Sequence, residues 1–256
     1  MKVLATYNIK GGVGKTSTAV NLAYLAAREG RRTLLWDLDP QAAATFLFRV
    51  KAKVKGGGRG LVTRERPMED AIKATDFEGL DLLPADFTYR NMDLDLDDTK
   101  KRTRRLRQLI APLADDYDLV VLDCPPSVSL VSENVLEAAD TLLVPLIPAT
   151  LSLRTFDQLR RFVAAAEGRH PEVVAFFSMA DRRKRLHRDV IEALDTVERR
   201  ADGSRVAETV VPSLAIIESM AEHRAPVPAF APASAATKIY ESLWAEVRPW
   251  AEVAPT

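Results

Sequence analysis

The sequence holds one cysteine, Cys124, no surplus of either charge and no long apolar run. A lone thiol can neither close an internal disulfide nor help bridge an iron–sulfur cluster within the chain, which suits a reducing cytoplasm. Lys and Arg number 36 and Asp and Glu also 36, so the formal net charge is zero. A dedicated nucleic-acid binder is usually basic overall, so any such role must rest on local clusters. Aromatic residues are only 7% of the chain, which leaves the packing largely aliphatic. The stretch from Met1 to Tyr7 is apolar only until Asn8 and Lys10, too briefly for a signal peptide or a membrane span.

What is present is an alternation. In 256 residues, short apolar runs alternate with longer helical patterns, and this predicts one α/β domain over 1–256. The strand candidates are Val3–Tyr7, Arg32–Trp36, Leu80–Leu83, Leu119–Leu122, Thr141–Pro145, Val173–Met179 and Val206–Val211. Several are apolar at nearly every position, as strands covered on both faces are. Helices are expected over Ser17–Glu29, with Gly30 as its C-cap, and over Thr99–Ala114, Leu151–Glu167, Arg185–Glu198 and Ser234–Val247. Right-handed crossovers then give a doubly wound, mostly parallel sheet flanked by helices. The glycine-rich, basic stretch from Lys51 to Gly60 reads by composition as a mobile surface loop.

The densest chemistry follows the first strand: Lys10-Gly11-Gly12-Val13-Gly14-Lys15-Thr16-Ser17. Glycines between a strand and a helix let consecutive backbone N–H groups turn toward a phosphate, and the helix N-terminus adds positive potential. Lys15 would reach the β- and γ-phosphates of a nucleoside triphosphate, and the Thr16 hydroxyl would ligate Mg²⁺. The common phosphate-loop pattern wants a glycine at position 9, where this chain has Ile9. In its place stands a second lysine, Lys10, followed by two glycines. Asp123 ends an apolar strand at the carboxyl edge where such sheets bind ligands, and can hold Mg²⁺ through water. Asp37 and Asp39 stand at another strand end. They are expected on opposite sides of it, with only one leaning directly into the site, and spacing does not choose between them.

Lys10 to Ser17 resembles the deviant phosphate loop of the ParA/MinD ATPases, with its extra lysine. Leu34 to Ala42 resembles that family's second acidic motif, Val120 to Pro126 its Walker B strand, and Asp140 to Pro145 the strand that follows. Val211-Pro212 and the stretch to Pro226 and Pro228 resemble its late loop near the adenine. The likeness is greatest to ParA (Soj-like) proteins without an N-terminal helix-turn-helix domain, and runs in order along nearly the whole chain. It implies a Mg²⁺-dependent ATPase that binds ATP through Lys10 to Ser17, with Pro212 near the base. It assigns Asp39 to orienting the attacking water and Asp37 to the magnesium region. It also sends Lys10 across to the partner's triphosphate in an ATP-sandwich homodimer.

The resemblance extends to a basic segment, Asp181-Arg182-Arg183-Lys184-Arg185-Leu186-His187-Arg188, similar to the family's non-specific DNA-binding stretch. Arg183 leads, supported by Arg182, Lys184, Arg185 and Arg188; phosphate contacts of this kind are sequence-independent and salt-sensitive. A second cluster, Lys100, Lys101, Arg102, Arg104, Arg105 and Arg107, follows Asp93, Asp95, Asp97 and Asp98 and reads as a solvated charged face. Two departures stand out: Ile216 where relatives often carry a basic residue, and His223-Arg224 where Gly-Lys is frequent.

The implied function is partition or positioning of a plasmid, a chromosome region or a protein cargo on the nucleoid. A ParB-like or cargo-adaptor protein would stimulate hydrolysis. A MinD-like membrane ATPase would need an amphipathic C-terminal helix, and Pro249, Pro255 and two glutamates in the last residues make a poor anchor; no membrane partner is expected. Cluster carriers of this fold need paired cysteines. Amidoligases are compatible with the composition, but Lys10-Gly-Gly and the 182–188 cluster weigh against them.

Overall fold

A computed structural model describes residues 1–195 and 204–251. The first half runs β1 (Lys2–Thr6), α1 (Lys15–Arg28), β2 (Thr33–Asp37), α2 (Ala43–Leu47), α3 (Gly57–Thr63), β3 (Lys73–Ala74), β4 (Leu80–Leu83), α4 (Met92–Asp97) and α5 (Arg105–Ile110). Then come β5 (Leu119–Asp123), α6 (Leu130–Ala138), β6 (Thr141–Leu146), α7 (Thr150–Ala165), β7 (Glu172–Phe177), α8 (Arg185–Asp195) and β8 (Arg205–Val206). The short helices α9 (Ala215–Glu218), α10 (Met220–His223) and α11 (Val227–Phe230) lead into α12 (Ala235–Val247). The sheet order is β3-β4-β2-β5-β1-β6-β7-β8, parallel throughout except for β3, which pairs antiparallel with β4. This is the doubly wound sheet expected.

Strands β2, β5 and β6 are buried at every position, because each sheet face carries its own apolar layer. On one face Leu4, Leu35, Val121 and Leu143 meet Ala19, Leu22 and Ala26 of α1 and Tyr240, Leu243 and Trp244 of α12. On the other, Ala5, Trp36, Leu122 and Val144 meet Leu61, Met92, Leu106, Val135 and Phe156 from α3 to α7.

Three expectations change. The Lys51–Gly60 stretch is not a mobile loop: it leads into α3, where Gly58, Gly60, Leu61 and Val62 are buried. Its glycines serve close packing, since a Cβ on Gly57 would lie 2.6 Å from Thr88 Oγ1 and one on Gly58 3.0 Å from the Tyr89 ring. The helix expected over Thr99–Ala114 shrinks to α5 and tightens into a 3₁₀ turn over Ala111–Asp115, with Pro112 in its first turn. The strand expected over Val206–Val211 stops after Val206. There the Glu246 carboxylate accepts the N–H groups of Glu208 and Thr209 at 2.8 and 2.9 Å, and the chain rejoins the sheet where the Val211 N–H donates to the Phe177 carbonyl at 2.8 Å, beside the Ala180–Pro212 bridge. Strand β3, two exposed residues long, gives no sequence signal. The expected helix end at Glu198 and the terminal Pro255 lie outside the described residues.

Candidate nucleotide site

The carboxyl ends of β1, β2 and β5 meet at one edge, where Asp37 and Asp123 are register partners and Thr6 pairs with Asp123 from the other side. The chain leaves β1 through Lys10–Gly14 and enters α1 at Lys15. Gly14 caps α1 with φ 91°, its helix start has no side-chain cap hydrogen bond, and no acid stands in the first turn. The first N–H groups of α1 are thus left for an anion. A Cβ on Gly14 would stand 2.8 Å from Ser178 Oγ, so glycine is required by both conformation and space. Val13 is buried beneath the loop, while Lys10, Gly11 and Gly12 are exposed around its rim.

The two lysines differ. Lys15 is 7% exposed and donates from Nζ to the Lys10 carbonyl at 3.1 Å. Burial lowers its pKa, opposed by the nearby charges of Asp123 and Asp39. The side chain of Lys10 is exposed and forms no hydrogen bond or ion pair among the described residues.

Asp123 is completely buried, and among the described residues neither carboxylate oxygen has a hydrogen-bond partner. Burial pushes its pKa well above the usual carboxylate range. The charge of Asp37 adds to this, and Thr16 and Lys15 pull against it. A buried, unpartnered carboxylate beside a threonine hydroxyl is a costly arrangement that a cation relieves. Among the described residues no cluster of three or more His, Cys, Asp or Glu side chains forms a metal cage. That fits Mg²⁺, which keeps several waters and takes few protein ligands alongside phosphate oxygens.

Asp37 and Asp39 correct the expectation that they stand on opposite sides. Residues two apart on a strand share a face, and here β2 has ended at Asp37. The Asp39 N–H donates to Asp37 Oδ1 at 3.2 Å, and both charges raise the pKa of Asp123. Asp37 Oδ2 accepts from the N–H and hydroxyl of Thr45 at 2.8 and 2.7 Å. Burial still raises the Asp37 pKa to about 6. Its oxygens are thus occupied by α2 and the Asp39 turn. Asp39 is half-buried, and among the described residues its Oδ1 accepts from the Gln41 N–H at 2.9 Å.

Pro212 lines a cleft of about 220 Å³ beside the loop, with Gly12, Gly14, Ser17, Met179 and Tyr240. Ile216 packs against the apolar layer of α1 and α12. His223 stacks on Phe230 with centroids 4.1 Å apart, and Arg224 lies over the Phe46 ring.

The basic segment runs from the turn after β7 into the start of α8. Arg182, Arg183, Lys184, Arg185 and Arg188 are all exposed. Arg183 is held in a fork by Asp181 at 2.9 and 3.0 Å, and Arg185 faces Asp189 at 3.6 Å. Arg188 bonds the carbonyl of Arg182 at 2.8 Å. Arg182 and Lys184 form no ion pair among the described residues. The 100–107 cluster is largely paired internally: Arg102 with Asp97, and Arg104 and Arg107 with the buried Glu137.

Sequence reasoning missed Tyr7, Asn8, Asn21 and Thr45. The Tyr7 hydroxyl donates to the Ser127 carbonyl, after Asp123. Asn21 donates to Ser17 O at 2.7 Å and accepts from Val227 N at 2.8 Å, tying α1 to α11. An asparagine two residues before Lys10 carries a turn signal; Asn21 and Thr45 lie inside helices and Tyr7 just past the end of β1, and these carry none.

An AAA domain family model matches residues 1–173. The sporulation initiation inhibitor protein Soj of Bacillus subtilis is 32% identical over 251 residues, covering 96% of this chain and 98% of its own. The chromosome partitioning protein ParA of Caulobacter vibrioides is 34% identical over 219 residues, covering 83% of this chain and 80% of its own. Among solved structures, cobyrinic acid a,c-diamide synthase from Mycobacterium smegmatis with bound ADP and magnesium is 29% identical, with a TM-score of 0.73 and coverage of 91% and 93%.

Proposed function

Since this chain belongs to the ParA/MinD family of ATPases, we propose that it is a partition or positioning ATPase whose ATP-bound dimer holds DNA non-specifically and is released by partner-stimulated hydrolysis. ATP binds with its phosphates in Lys10–Ser17 and its base in the cleft beside Pro212. The observation that carries the reading is Asp123, a buried carboxylate without a partner beside Lys15 and Thr16 and below an uncapped helix start.

Thr16 and Asp123 would hold Mg²⁺, and the ion, when bound, would supply neutralisation of the triphosphate charge. Lys15 exchanges its bond to the Lys10 carbonyl for phosphate oxygens. Asp39 orients the attacking water, and Asp37, clamped by Thr45, fixes the turn that carries Asp39. Phosphoryl transfer needs positioning and charge neutralisation more than a strong base, which suits a half-buried aspartate. Lys10, exposed and unengaged at the rim, is free to act on a second copy's triphosphate. A cation delivered in trans is worth about 10³–10⁵ in rate in GTPases. The exposed arginines at the start of α8 supply the DNA contact, and a ParB-like or cargo-adaptor protein stimulates hydrolysis on the nucleoid.

The diamide synthase likeness favours a second reading, an ATP-dependent amide synthase. Glutamine-dependent versions use an accessible thiolate, whereas Cys124 is 1% exposed and burial pushes its pKa well up. No described helix is long and apolar enough to cross a membrane. The test is binding to non-specific duplex DNA with ADP, with ATP, and with ATP plus Asp39→Ala, across a salt series. Salt-sensitive binding with ATP alone, strengthened by Asp39→Ala and lost in Arg183→Glu, is the expected result. No DNA binding in any state, with ATP dimers still forming, sinks the reading.

A further inference from the structure

We propose that Asn8 is the positioning residue for Lys10, acting as a surrogate backbone amide between β1 and β6. The proposal rests on the reading of Lys10 as the lysine that acts across the dimer.

Strands β1 and β6 pair in parallel from Leu4–Thr141 to Thr6–Leu143, and Tyr7 N–H continues the ladder to Leu143 O at 3.0 Å. Parallel ladders bond alternate residues, so the next rung would run from the N–H of Ile9 to the carbonyl of Pro145. That carbonyl instead accepts from Nδ2 of Asn8 at 2.8 Å. The side chain makes the rung, and the main chain is released into the phosphate loop without orphaning Pro145. The other end of the same amide, Oδ1, accepts the N–H of Lys10 at 2.9 Å.

Asn8 is 3% exposed; its bond to Pro145 lies out of water and its bond to Lys10 is partly buried. The orientation of the amide follows from its partners, because a carbonyl demands a donor and an N–H demands an acceptor. Only an uncharged amide of this length meets both. Aspartate can accept from Lys10 but cannot donate to Pro145, and would press a carboxylate oxygen against a carbonyl.

The consequence is for Lys10. Its side chain touches nothing that would aim it, so its direction is set by its main chain. That main chain has two holds, Asn8 on the N–H and Lys15 on the carbonyl. Phosphates compete for Lys15 when nucleotide binds, and Asn8 is then the hold that remains. Tyr7, the preceding residue, anchors the opposite flank through the carbonyl of Ser127. The root of the loop is therefore tied to the ends of both β5 and β6, and Asn8 links the β6 end to the lysine.

The experiment is a double-mutant cycle on the full chain with Asn8→Asp, Lys10→Ala and the pair. Affinity for a fluorescent ATP analogue is measured at low protein concentration, and ATPase rate as a function of protein concentration. Expected is an Asn8→Asp affinity within about threefold of the parent and a concentration-dependent rate down at least about tenfold. In the Lys10→Ala background Asn8→Asp should add less than about twofold, as two residues acting as one unit do. An undiminished loss in that background overturns the proposal, and so does a weakened affinity that accounts for the whole loss. Lys10→Ala without effect on the concentration-dependent rate removes the premise first and the proposal with it. DNA binding by the ATP state reports on the wider reading separately. If Asn8→Asp fails to fold, Asn8→Ser enters the same cycle: it is neutral, can cap Lys10, and is too short to reach Pro145.

Discussion

Lys15 donates its Nζ proton to the main-chain carbonyl of Lys10 across 3.1 Å, so the two lysines of the phosphate loop are joined through one side chain and one backbone. The buried lysine braces the loop from within, and the outer lysine is braced and left pointing outward. Nucleotide affinity should therefore follow Lys15. Lys15→Gln removes a charge-assisted bond to phosphate worth roughly 1.5–3 kcal/mol, and should weaken ATP binding about 10- to 100-fold in titrations of dilute protein. Lys10→Ala should leave that titration nearly unchanged.

Asp123 without a partner makes a prediction about stability. Asp123→Asn removes a buried carboxylate whose oxygens have no hydrogen-bond partner among the described residues and whose charge Thr16 and Lys15 offset only in part, so the nucleotide-free protein should melt higher. A gain of 1 kcal/mol corresponds to roughly 2–4 °C in a chain of this size. The same variant should lose the extra stabilisation that Mg²⁺ adds to ATP. A lower melting point with magnesium dependence intact would show that Asp123 is a structural acid.

Arg183 is already engaged: its guanidinium holds the Asp181 carboxyl down at about 2. DNA phosphate must compete with that carboxylate. Asp181→Asn should release Arg183, tighten binding of the ATP state to duplex DNA, and steepen the log–log salt dependence by about one unit, as one added phosphate contact does. Weaker binding in this variant would mean that Asp181 is needed to hold Arg183 in its DNA-contacting pose.

Glu137 should report itself through pH. Burial pushes its pKa up, but the Arg169 N–H, Arg107 and Arg104 outweigh that and the net shift is downward. A carboxyl lowered by folding stabilises above its unfolded pKa and loses that contribution as pH falls through the folded one. Glu137→Gln should therefore cost about 1–3 kcal/mol at neutral pH, with the gap to the parent closing below about pH 4 in chemical denaturation. A gap that is constant with pH would assign the loss to packing alone.

Gly14→Ala tests the loop's geometry. A methyl group there meets Ser178 Oγ at 2.8 Å in a conformation with φ 91°. ATP affinity should fall in calorimetric titration, and Ser178→Ala should recover only the steric part, because the left-handed strain persists.

Much of the site was legible because a phosphate loop is local: its glycines, lysines and threonine are contiguous and their geometry follows from neighbouring backbone. Asp123 was legible from its place at the end of an apolar strand. That Asp37 and Asp39 share a side follows from strand periodicity and was misjudged, whereas the clamp on Asp37 by Thr45, which reaches it from α2, was not legible. The Lys51–Gly60 stretch misled for a similar reason. Glycine-rich composition signals freedom unless something packs against it, and the partners, Thr88 and Tyr89, lie some thirty residues further on.

By itself, then, the sequence determined the alternation that builds a doubly wound sheet, the anion-binding loop at its edge and the absence of thiol pairs. Each follows from periodicity, contiguity or count. Tertiary structure alone decided that Asp123 has no hydrogen-bond partner among the described residues, that buried Glu137 pairs with Arg104 and Arg107, and that Asn8 completes a rung of the sheet with its side chain. Each of these is a hydrogen bond made or missing between groups far apart in the chain. Burial makes such bonds matter, because a polar group removed from water must find its partner wherever the fold has brought one.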